Sequence, residues 1–97
     1  KTIHGYGAST KGNVLLQYFG INRKHIKYIA DRNPKKDNHF TPGTKIKIIT
    51  ENKSRRLKPN FYFVLPWHFK KEILNRERNL IKKGSKFIFP LPVFKVY

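Results

Sequence analysis

The run His4-Gly5-Tyr6-Gly7-Ala8-Ser9-Thr10-Lys11-Gly12-Asn13 constrains the fold of this chain more than any other stretch. It closes a short apolar segment, Thr2 to Tyr6, that reads as a strand, and it leads into an amphipathic run from Lys11 to Phe19. Two glycines one residue apart let a strand turn sharply, and small residues let a ligand approach the backbone. Ser9 or Thr10 is placed to cap the helix that follows, and Gly20 stands at its far end as a C-cap. The helix start carries the positive end of the dipole, and the amides near Lys11 to Asn13 lack intrahelical acceptors. A phosphate is the natural occupant, with Lys11 adding a full charge. The spacing departs from G-x-G-x-x-G, because the third glycine is Gly12, and Asn13 stands where a Walker A loop has lysine. From the turn alone, phosphate binding and a purely structural strand-to-helix turn are both open.

Leu15 and Phe19, with Val14 and Tyr18, mark one face of the predicted helix. His25 to Ala30 then alternates and ends at Asp31, a second strand. Strand, helix and strand make a right-handed βαβ unit and a parallel sheet. Asp31 follows the glycine turn at about the interval at which dinucleotide-binding folds place an acid on a ribose hydroxyl. It equally suits a turn cap before Arg32-Asn33-Pro34. The segment from Asn33 to Thr44 reads as a long polar loop bordering a ligand crevice, with Lys35, Phe40 and Thr41 as candidates to line it. Ile46, Ile48 and Ile49 form a third strand, and Glu51 to Leu57 a short basic helix or turn. Phe61 to Leu65 is continuously apolar, as a strand buried on both faces would be. Phe69, Ile73, Leu80 and Ile81 trace a helix face that closes at Gly84, and Lys86 to Phe89 is the next strand. Pro90 and Pro92 exclude a central ladder position beyond it, so Val93 to Tyr97 is expected at an edge. The fold expected over residues 1–97 is a single α/β domain, three-layer αβα and Rossmann-like, with a mainly parallel sheet.

A chain of 97 residues with 22 Lys+Arg against 5 Asp+Glu, formally +17, invites a polyanionic partner, nucleic acid above all. The basic residues nevertheless come in short pairs through every segment, and no DNA- or RNA-binding motif accompanies them. The absence of cysteine excludes disulfides, thiolate metal sites and cysteine nucleophiles, and fits a reducing, cytoplasmic setting. Histidines 4, 25, 39 and 68 include no pair at metal-ligand spacing, so no metal is expected. The acids read as too scarce and scattered for a paired-carboxylate site. Trp67 and His68 follow the best-defined strand, and His68 with Glu72, four residues on, is either an acid-base couple or a hydrogen-bonded cap. No catalytic set emerges, and no apolar run is long enough to cross a membrane. The chain contains no methionine and starts at Lys1 inside a strand, so it is expected to be a piece of something longer.

Four blocks together resemble a known family: Gly5 to Asn13; Asp31-Arg32-Asn33-Pro34 with Phe40-Thr41-Pro42-Gly43-Thr44; Leu65-Pro66-Trp67-His68-Phe69-Lys70-Lys71-Glu72-Ile73; and Phe89-Pro90-Leu91-Pro92. They look like the C-terminal domain of the SAM-dependent sugar C-methyltransferases. The resemblance implies a parent enzyme with an N-terminal zinc-binding region, a central SAM-binding domain and this C-terminal domain, which helps to hold a nucleotide-linked deoxy-keto-sugar. SAM and the main acid-base residues would belong to the central domain, so this chain alone would bind no cofactor and methylate nothing. The nucleotide-sugar role falls on Gly5, Tyr6, Gly7, Ala8, Ser9, Thr10, Lys11, Gly12, Asn13, Asp31, Arg32, Phe40, Thr41, Trp67 and His68. Asn60 stands where the family has an acid, and His68 where asparagine is common. The alternatives are a basic nucleic-acid-binding module and, against its glycine spacing, an NAD-binding domain.

Overall fold

The computed structural model describes residues 1–97. Its elements in chain order are β1 (Ile3–Tyr6), α1 (Thr10–Tyr18), β2 (Tyr28–Asp31), β3 (Lys47–Thr50), α2 (Glu51–Leu57), β4 (Phe61–Val64), α3 (Lys70–Arg76), α4 (Arg78–Lys82), β5 (Lys86–Phe89) and β6 (Lys95–Val96). The six strands form one sheet in the order β3-β2-β1-β4-β5-β6. All neighbours are parallel except β6, which runs antiparallel to β5 at the edge that the prolines demanded. The chain therefore winds outward on both sides of β1 and β4, and the strand order reverses between them.

Alternation along the strands splits the core into two clusters. On the α1 face Leu16, Ile26, Ile29, Ile46, Phe63, Leu65 and Ile88 pack together. On the other face Tyr6, Tyr62, Val64, Ile73, Phe87 and Phe89 form the second cluster beneath α3 and α4. The expected α/β architecture with a mainly parallel sheet is found, with helices on both faces.

Several local expectations are corrected. The inward face of α1 is Gly12, Asn13 and Leu16, whereas Val14, Tyr18 and Phe19 are exposed. Small residues win because α1 lies close to the sheet: a methyl group at Gly12 would stand 2.6 Å from Leu65 Cβ. Gly20 follows the C-cap Phe19 with φ 69°, and the Ile21 amide donates to the Leu16 carbonyl, closing a Schellman motif. The second strand starts at Tyr28, because the Ile26 amide is spent on the Asn22 carbonyl in a turn. The 33–44 segment is not a free loop. After a 3₁₀ turn at Pro34–Lys36, residues 38 to 41 bond along β3 and cover that sheet edge. The predicted single helix from Phe69 to Gly84 is divided at Glu77, whose φ of −98° and ψ of 17° leave the helical region.

Candidate functional site

The sharp turn after β1 is held by Asp31, the last residue of β2. Asp31 Oδ2 accepts from the Ala8 amide at 2.8 Å and Oδ1 from the Asn33 amide at 2.8 Å. Lys36 Nζ donates to the Ala8 carbonyl at 2.6 Å and lies 3.8 Å from Asp31 Oδ2. Gly7 takes φ 84°, and the space its missing side chain leaves is filled by Pro66, whose Cδ would lie 2.8 Å from a methyl group there. Gly5 is likewise closed over by Ile29. The glycines thus bring protein against protein.

Helix α1 starts at Thr10, one residue before the expected Lys11. Ser9 is the N-cap: its Oγ accepts from the Gly12 amide at 3.0 Å and its carbonyl from the Asn13 amide at 2.9 Å. The amides of Thr10 and Lys11 are the ones left without a protein acceptor. They open on two flanks. On one, Ser9, Thr10 and Lys11 share a cleft of about 510 Å³ with Pro66, Trp67, His68 and Phe69. On the other, Ser9 and Thr10 share a smaller cleft of about 220 Å³ with Lys36, Phe40 and Pro42. Phe40 and Phe69 are both more than half exposed.

Thr41 and Asn13 have structural duties. Thr41 Oγ1 accepts from the Ile46 amide and bonds the Thr44 hydroxyl, while Asn13 Nδ2 donates to the Pro42 carbonyl at 2.7 Å and Oδ1 accepts from the Thr44 hydroxyl at 2.6 Å. Both residues are buried. His68 and Glu72 form neither a couple nor a cap; His68 faces the α1 cleft, and Glu72 lines a different one.

That further cleft, of about 290 Å³, lies across Pro66 and Phe69 at the carboxyl end of the sheet. Tyr6 and Gly7 form one side of it, with Asp31, Arg32, Glu51, Glu72 and Arg76 around them. The scattered acids of the sequence therefore converge: three of the 5 Asp and Glu residues line this cleft. A fourth, Glu77, lies beneath it, 3 % exposed. Glu77 Oε2 accepts from the Tyr6 hydroxyl at 2.5 Å, and Arg55 Nη2 donates to both Glu77 oxygens at 2.9 and 3.1 Å. Arg76 donates to Glu51 at 2.5 Å and stands over the Tyr6 ring at 5.8 Å. Burial, and then the Glu77 bond, push the Tyr6 hydroxyl far above its ordinary pKa. Sequence reasoning missed this network, although one signal was present: Glu77 sits on the apolar stripe of Ile73, Leu80 and Ile81, where an acid has to be paired.

His4 is a packed residue. It is buried, its Nδ1 lies 2.7 Å from Ser54 Oγ, and burial lowers its pKa to about 4. No group of three His, Cys, Asp or Glu side chains is close enough to hold a metal ion, and no helix is long and apolar enough to cross a membrane.

Fold and geometry define a small α/β domain with three clefts at the carboxyl ends of its parallel strands. The chain belongs to the C-methyltransferase C-terminal domain family, which matches residues 1–92. C-methyltransferase NovU of Streptomyces niveus is 34% identical over 92 residues, covering 95% of this chain and 22% of that relative. The chain thus spans about a fifth of the length of the curated protein it matches.

Proposed function

We propose that this domain is the substrate-holding part of a longer C-methyltransferase and that its ligand is a nucleotide-linked deoxy-keto-sugar. Support comes above all from the start of α1, where the acceptor-free Thr10 and Lys11 amides and the Lys11 ammonium open between the exposed Phe40 and the wall of Trp67 and Phe69. Free amides at a positive helix end suit a diphosphate, and flanking aromatic rings suit a base or a sugar face. The reversal of strand order between β1 and β4 is the usual position of a ligand crevice in open parallel sheets. The sugar then reaches past Phe69 to the carboxylates of Asp31, Glu51 and Glu72, which are acceptors for its hydroxyls. The family supplies SAM as methyl donor, held by the rest of the longer enzyme together with the proton-abstracting residue. This chain alone is expected to bind substrate without methylating it.

Calorimetric titration of the wild type with dTDP, UDP and GDP, repeated with Lys11→Gln, Trp67→Ala and the distant control Lys83→Gln, tests the assignment. One charge-assisted or stacking contact is worth on the order of 1.5 kcal/mol, so Lys11→Gln and Trp67→Ala should each weaken binding by roughly tenfold while Lys83→Gln leaves it unchanged. Equal affinity in all four proteins would move the site away from α1.

A further inference from the structure

The two faces of the sheet are unequally covered. The face opposite α1 carries α2, α3 and α4, whereas α1 is the one helix on its own face. Its Asn13 and Gln17 flank meets Pro42 and Gly43. The opposite flank carries Lys11, which shares a cleft with Leu65 and Pro66 just past β4, and Val14 and Tyr18 are 58% and 82% exposed. Beyond this flank the sheet forms an apolar shelf: Ile3 and Phe61 are partly buried beside the buried Phe63 and Ile88, and Val96, paired opposite Ile88, is 42% exposed. From β1 across β4 to β5 is two strand spacings, about 10 Å, the diameter of one α-helix.

We propose that this shelf seats an amphipathic helix from the part of the longer methyltransferase that precedes the domain. The proposal rests on family membership and not on the nucleotide-sugar reading. The family is a C-terminal domain, and the matched relative is mostly other polypeptide. Lys1 leads directly into β1, which borders the shelf, so the incoming chain arrives beside it. The charges select the occupant. Lys1, whose Nζ stands 6.0 Å from the centre of the Phe61 ring, Lys11 and Lys86 rim the shelf. Four of the five acids gather at or beneath the mixed cleft, and Asp37 pairs with Lys53. A helix with apolar residues inward and carboxylates along its margins satisfies this rim, whereas a second copy of the chain brings the same lysines and is repelled.

Cysteine labelling gives a direct test, because the 97 residues contain no native thiol. Val14→Cys, Val96→Cys and the control Lys35→Cys, each checked for native circular dichroism, are alkylated in the 97-residue chain and in the full-length enzyme, and the rates are read by peptide mass spectrometry. Val14→Cys and Val96→Cys should react at least tenfold more slowly in the full-length enzyme, with Lys35→Cys unchanged. Equal rates in the two proteins would overturn the proposal. So would protection in the isolated chain that grows with its concentration, which would make a second copy the occupant.

Discussion

Glu77 and His4 place opposite demands on the interior, and each yields a prediction. Glu77 is a buried anion satisfied by the Tyr6 hydroxyl and the Arg55 guanidinium. Removing it leaves the buried Tyr6 hydroxyl and the Arg55 guanidinium without their acceptor, so Glu77→Ala should destabilise the domain by about 3 kcal/mol in urea unfolding. His4 is kept neutral by burial, its pKa lowered from 6.5 to about 4. In that window the unfolded chain takes up a proton that the folded chain refuses, so stability is fully present above pH 6.5 and declines as pH falls toward 4. The loss is on the order of 3 kcal/mol. The urea midpoint should drop between pH 7 and pH 5, and His4→Gln, which retains an acceptor for Ser54, should flatten that slope.

At the scale of elements, α1 shows what a sequence pattern conveys and what it conceals. Its cap at Ser9 and its stop at Gly20 were legible because capping chemistry is local. Its inward face was not, because the large apolar residues Val14, Tyr18 and Phe19 point away from the sheet and Gly12 makes the close contact. Gly12→Ala should therefore cost about 2 kcal/mol by overpacking against Leu65, whereas Ser9→Ala should cost about 1 kcal/mol by exposing one amide. Thermal melts of the two variants would separate these effects. β4 was legible from Phe61 to Leu65 because a strand buried on both faces is apolar throughout. β2 was overextended because alternation continues backward into the turn that holds Ile26.

For the whole molecule, the strand order and the gathering of acids were beyond sequence reasoning. Both follow from right-handed crossovers that place β4 beside β1 and so bring Glu72 and Glu77 to Asp31 and Glu51. The expected site residues divide accordingly. Ala8, Ser9, Thr10, Lys11, Phe40, Trp67 and His68 line clefts around the start of α1, and Tyr6, Gly7, Asp31 and Arg32 line the mixed cleft. Gly5 and Gly12 are buried in structural contacts, and Asn13 and Thr41, tied into structural hydrogen bonds, also border the smaller cleft. Amide and indole chemical shifts of the isotope-labelled chain, followed while dTDP, UDP and GDP are added at low and moderate salt, test the central claim most directly. Binding of a nucleotide sugar at the start of α1 predicts localised, salt-tolerant shifts at the Thr10 and Lys11 amides and the Trp67 indole with one nucleotide. Shifts spread over the lysine-bearing surface that vanish with salt would contradict it.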